Sequence, residues 1–217
     1  MKAANIFATA ALIGLLAACS SATTQPSPQP APAVIPVTTN AAAIEKARAD
    51  SARYPYTRAD VDFMTMMIGH HAQAVLISGW AASHGASPAI IRLTDRIVNG
   101  QQDDIRLMQQ WLLDRQKPVP ALDDVAHHMH MPGMLTEAQL KQLDAARGSE
   151  FDRLFLTFMI QHHRGAVEMV KELFGSHGAA QDLVVFKFAN DVQVDQSTEI
   201  ARMEQMLANV PSNQRNQ

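Results

Sequence analysis

Cysteine is nearly absent: the 217 residues include one, Cys19. A lone thiol excludes a disulfide framework and any zinc finger built on cysteine, since each needs several sulfurs. Positive charge is also in short supply. The net charge is −3, which leaves no electrostatic case for nucleic acid as a partner. A nucleophile elbow, a phosphate-binding loop and a Gly-rich dinucleotide turn are all missing, so hydrolase and nucleotide chemistry have no support. Charged residues make up only 18%, low for a disordered chain, and the 47% hydrophobic content is enough for a folded core. What is plentiful is methionine and histidine, with 12 and 9 residues.

The N-terminus reads as a processing segment. Lys2 is the only charge before a small, apolar run from Ile6 to Ala18. That run is short for a membrane span but fits the apolar part of a signal peptide. It ends in Leu16-Ala17-Ala18-Cys19, which resembles a bacterial lipoprotein signal whose Cys becomes the lipidated first residue. Residues 1–18 are therefore expected to be a signal peptide and Cys19 a lipid anchor. The protein would face the periplasm, on the outer membrane of a Gram-negative cell. Residues 19–40 carry Pro26, Pro28, Pro30, Pro32 and Pro36 among Ser, Thr and Gln, a composition that makes an extended, solvated tether.

From residue 41 to about 210 the pattern is helical. Apolar residues recur at three and four rather than two. Ala41 to Ser51 predicts a short leading helix. Thr57 caps a helix running to about Ala82, with Asp60 as a favourable charge in its first turn. Ser87-Pro88 opens a second long helix to about Arg115. A loop over 116–135 follows, then a short helix from a Thr136/Gln139 capping box, stopped by Gly148. Further long helices are expected over about Phe151–Phe174 and Ala180–Ala208. Four long helices with short turns inside each pair predict an all-α, antiparallel four-helix bundle.

The first and third long helices are copies. A shift of 92 positions superposes Asp60, Phe63, Thr65, Met67, Ile68, His70, His71, Ala74 and Val75 on identical residues from Asp152 to Val167. That is nine identities in sixteen positions, where chance gives about one. Gln101, Asp104, Ile105 and Met108 correspond more loosely to Gln196, Glu199, Ile200 and Met203. The unit is a helical hairpin, over about 57–115 and again over 149–208.

The repeated spacing puts soft ligands on the buried stripe. Phe63, Met67, His70, Ala74 and Ile77 lie at steps of 4, 3, 4, 3, as do Phe155, Met159, His162, Ala166 and Met169. Each helix sends Met-x-x-His inward, with His71 and His163 about 100° further round. Di-iron bundles keep Glu-x-x-His in this position. A thioether in place of that Glu is a poor ligand for iron and a good one for Cu(I), while imidazole suits copper in either state. Met67, His70, His71, Met159, His162 and His163 are therefore the primary candidate ligands. Met64, Met66, Asp104 and Glu199 form a secondary set. The loop adds His127, His128, Met129, His130, Met131 and Met134. The plain alternative is that Met fills irregular core gaps and His caps or packs. Burying up to four imidazoles without partners would be costly, however, and a metal or a carboxylate such as Asp104 or Glu199 would relieve it. His84 and His177 follow helix ends and are expected to cap carbonyls.

Phe63-Met64-Thr65-Met66-Met67-Ile68-Gly69-His70-His71 and Phe155-Leu156-Thr157-Phe158-Met159-Ile160-Gln161-His162-His163-Arg164-Gly165-Ala166 resemble the paired signatures of a secreted bacterial family, domain of unknown function 305. So do Met131-Pro132-Gly133-Met134-Leu135-Thr136, Gly148 to Asp152, and Gln196 to Met203. The resemblance runs from about Thr57 to Leu207 and implies a ferritin-like bundle. Some members bind copper in the periplasm and are linked to copper resistance, so it also implies copper sequestration or transfer, with a periplasmic copper-handling protein as partner. The chain departs from the doubled pattern at Asp104 against Glu199, and at Ala72-Gln73 against Arg164-Gly165.

The leading expectation is a non-enzymatic copper-binding lipoprotein, with Cu(I) preferred over Cu(II) and affinity falling below about pH 6 as imidazoles protonate. The alternatives are a ferritin-like metal oxidase and a structural envelope module without metal.

Overall fold

A computed structural model of the chain describes residues 40–121 and 131–210. The expected signal peptide, the lipidation site Cys19, the tether up to residue 39, and His127, His128, Met129 and His130 lie outside the described residues. Every regular element among the described residues is a helix: α1 Ala41–Arg53, α2 Arg58–Gly79, α3 Pro88–Asp114, α4 Glu137–Ala145, α5 Gly148–Gly175 and α6 Leu183–Ala208. No described helix is long and apolar enough to cross a membrane.

The caps form where the sequence places them. Thr57 and Asp60 close a capping box on α2, and Thr136 and Gln139 close one on α4. Ser87 caps α3 just before Pro88. Two boundaries differ from expectation. Gly148 opens α5 rather than stopping α4: its backbone takes φ 57° and its N–H donates to the His84 carbonyl at 2.9 Å. The last helix starts at Leu183, not near Ala180, because Ala180 has φ 54° and breaks the helical run. Asp182 then caps it through the N–H groups of Val184 and Val185.

Two hairpins result, α2 packed on α3 and α5 on α6, and they meet through α2 and α5. Asp60, in the first turn of α2, and Asp152, in the second turn of α5, tie them together. Asp60 Oδ1 accepts from Ala180 N at 2.7 Å, and Asp152 accepts from Ser87 N at 3.1 Å, so each carboxylate caps the turn of the other hairpin. Asp182 adds a third tie, accepting from Trp111 Nε1 at 3.1 Å and pairing with Arg115 at 2.5 Å, both groups buried.

The core divides into two apolar clusters. One holds Phe63, Met64, Met67, Met108, Met169, Phe188 and Val192; the other holds Ala74, Ile77, Ile97, Phe155, Met159 and Met203. On α2 and α5 the residues between these clusters are His70, His71, His162 and His163. On α3 and α6 they are Gln101, Asp104, Gln196 and Glu199. A polar belt therefore crosses the middle of the apolar interior.

Candidate metal centre

The four belt histidines are completely buried, as are Met64, Met67 and Met159. Met66 is only partly buried and packs against the first cluster. His70 and His162 face each other across the α2–α5 seam with ring centroids 3.8 Å apart. His71 and His163 lie beside them, 6.4 and 6.2 Å from their sequence neighbours.

Hydrogen bonds fix the tautomers. His70 Nε2 lies 3.1 Å from the Pro132 carbonyl, which can only accept, so the proton is on Nε2 and Nδ1 keeps its lone pair. His163 Nε2 donates to Glu199 Oε2 at 2.8 Å, and His71 Nε2 donates to Asp104 Oδ2 at 3.3 Å. The Nδ1 atoms of His70, His71 and His163 have no partner, and neither ring nitrogen of His162 has one. Five imidazole nitrogens are thus buried and unpaired at one level of the fold, a costly arrangement in a protein alone.

Three of the rings, those of His70, His162 and His163, are held neutral. Burial, reinforced by the neighbouring His71, drives His70 down to about 3. Burial and then the adjacent His70 and His163 lower His162 well below its ordinary value. Burial also lowers His163, against the opposing pull of Glu199. Burial works against ionising Glu199, but the hydrogen bond from His163 and the nearby Arg96 outweigh it, and its carboxyl titrates below the usual range. The pair is therefore a carboxylate holding a neutral imidazole. Inside the fold, His70 keeps its lone pair to far lower pH than a free imidazole does.

A backbone strap crosses the same seam. Met131 is buried in the first cluster with Met134 against it. Pro132 and Gly133 lie directly on α5: a Cβ on Gly165 would fall 2.0 Å from the Pro132 carbonyl oxygen. Gln73 grips Leu135 through both its carbonyl, at 3.1 Å, and its N–H, at 2.8 Å. Gln161 reaches the Gly133 carbonyl at 3.3 Å. The strap accounts for the broken repeat at Gln73 and Gly165. One position must hold the strap by hydrogen bonds and the other must make room for its backbone.

The structure brings together His70, His71, His162 and His163 with Asp104 and Glu199, and places Met67 and Met159 in the flanking clusters. Among the described residues no three His, Cys, Asp or Glu side chains converge as a metal-holding group. His84 is not a cap for its own helix: its Nε2 donates to the Asp144 carbonyl at 3.0 Å, joining the first turn to α4. His177 is exposed. Sequence reading missed Gln101 and Gln196 as belt residues. Their correspondence across the two hairpins was the available signal.

The chain is all-α among its described residues, with two His-His pairs buried at one level and methionines in the clusters on either side. Residues 60–207 match the family Domain of unknown function (DUF305), and the chain belongs to it. Solved relatives agree. A DUF305 protein from Streptomyces coelicolor, named as a candidate secreted protein, shares 30% identity at TM-score 0.61, covering 69% of this chain and 92% of that one. A DUF305 fragment from Deinococcus radiodurans shares 28% at TM-score 0.60, covering 70% and 97%. CopM in its Cu(I)-bound form shares 29% at TM-score 0.55, covering 69% and 96%, and CopM is also solved in Cu(II)- and Ag-bound forms. No curated protein matches the chain.

Proposed function

We propose that the protein is an extracytoplasmic copper-binding lipoprotein, which holds copper as Cu(I) for sequestration or transfer and does not turn over a substrate. The observation that carries this reading is the set of five unpaired, buried imidazole nitrogens at one level of the fold. Neutral imidazole and thioether are the donors a soft monovalent cation prefers. The ligands would be the Nδ1 atoms of His70, His71 and His163, either nitrogen of His162, and the sulfurs of Met67 and Met159. Asp104 and Glu199 would orient the outer pair, as carboxylates do for ligating histidines elsewhere.

The copper and silver forms of CopM support the choice of metal. We read the fold as a ferritin-like antiparallel four-helix bundle in which Met replaces the iron-binding Glu. Cys19 would anchor the chain to the membrane by lipid.

Apo protein equilibrated with Cu(I) under reducing conditions and freed of excess metal should retain at least one copper per chain by elemental analysis. A His70→Ala/His162→Ala variant should lose most of it. Failure of the wild type to retain copper sinks the reading.

A further inference from the structure

The buried histidines have no exposure of their own, so a metal must reach them between helices. On the α2–α5 seam the way is closed by the strap, whose backbone rests on Gly165 and bonds to His70. The α3–α6 seam is different. It contains a cleft of about 420 Å³ with Asp104, Asp191, Asp195 and Glu199 in its lining, against Arg96 and Arg202. Four carboxylates face two guanidinium groups and the ammonium of Lys187, which pairs with Asp191 at 2.5 Å, so the cleft keeps a net negative charge. The crowding shows at Asp195, whose carboxyl is pushed up by burial and then by Asp191, Asp104 and Glu199.

Two of these carboxylates have a second contact. Asp104 and Glu199 line the cleft and also accept the Nε2–H groups of His71 and His163. They stand between solvent and the belt. Gln101 and Gln196 line the same cleft one helical turn away; they are 5% and 4% exposed, and the Oε1 of each has no hydrogen-bond partner. Lone pairs from both helices therefore lie unused where the cleft meets the interior.

We propose that the α3–α6 cleft is the port through which metal cations pass to the buried histidines, with Asp191 and Asp195 collecting them and Asp104 and Glu199 handing them over. This rests on the reading of the histidines as the metal site. No three of these groups converge as a cage among the described residues, and a port needs none. It must attract a cation and release it inward, where the softer and more numerous donors hold it. Charged clefts of this kind raise association rates by about 10- to 1,000-fold, in a salt-dependent way.

The test is the loading rate of the full protein, with Cu(I) supplied as its cationic acetonitrile complex and followed by stopped-flow ultraviolet absorbance. An Asp191→Asn/Asp195→Asn variant changes two exposed residues away from the histidines. Its second-order rate should fall at least about tenfold and lose most of its salt dependence, with equilibrium copper content unchanged. A Glu168→Gln/Glu172→Gln variant, which removes two exposed charges from α5, should load within about twofold of wild type. Wild-type speed in the cleft variant overturns the port alone, as does equal slowing in the α5 variant. If the wild type takes up no Cu(I) at equilibrium, the histidine site fails and the port with it.

Discussion

At the scale of single residues, His70, His162 and His163 are neutral bases kept from protons. An imidazole in the unfolded chain titrates near 6.5, whereas His70 in the fold is held at about 3 by burial and by its neighbour His71. The native state therefore binds fewer protons than the unfolded state between those values. Its stability is fully present above pH 6.5 and is lost as pH falls toward the folded value. His162 and His163 are shifted in the same direction, mainly by burial, and add to the loss. Each such group contributes up to about 1.4 kcal/mol per pH unit inside its window. The apo protein should therefore show a urea midpoint that drops steeply between about pH 6.5 and 5. A His70→Phe/His162→Phe variant should have a shallower slope. A flat profile in the wild type would mean that the histidines reach solvent and that the belt is not sealed.

At the scale of elements, the strap and α5 meet through two glycines, and one of them gives a test whose sign is informative. Gly165 sits inside a helix, where Ala is favoured by about 1 kcal/mol on propensity alone. Its Cβ, however, would collide with Pro132 and with the Cα of Gly133, which are main chain and cannot swing aside. Overpacking of this kind costs about 1–3 kcal/mol. Gly165→Ala should therefore lower stability and release the strap, seen as faster amide exchange at Leu135. Gly100→Ala, where an added Cβ meets nothing within 4 Å, should raise stability by up to about 1 kcal/mol. If both substitutions stabilise, the strap does not rest on α5. The elements themselves were largely legible in the sequence. Thr57, Ser87 and Thr136 are helix starts with a mechanism, and the apolar period of the long helices is unbroken. The start of α6 was not legible, because it depends on Asp182 meeting Trp111 and Arg115 from another helix. The difference between Gln73 and Gly165 could be read as a departure, but its cause is a loop that only the folded chain brings there.

At the scale of the whole molecule, the two copies of one helix supply one half each of a single belt. The duplication is legible in the sequence, where it marks the four histidines and the thioethers as one repeated set. The expectation that Asp104 and Glu199 partner buried imidazoles is met at His71 and His163. That Met67 and Met159 fall in separate clusters was not legible, since it follows from how the hairpins face each other. A consequence follows for stability. His70 and His162 lie on different hairpins with their rings 3.8 Å apart, so a metal held by both binds the docked state and not the separated one. A ligand selective for the native state adds RT ln(1 + [L]/Kd), about 2.7 kcal/mol at a hundredfold excess over Kd. For a domain of this size that is a rise in Tm of roughly 5–10 °C. Ag(I) is the cleaner probe, because it offers soft-metal bonding without a change of oxidation state during the scan. Scanning calorimetry of the protein with and without Ag(I) should show that rise in one cooperative transition, and His162→Ala should abolish most of it. The hairpins would be shown to bind metal separately if Ag(I) instead split the transition into two, with only one moving upward.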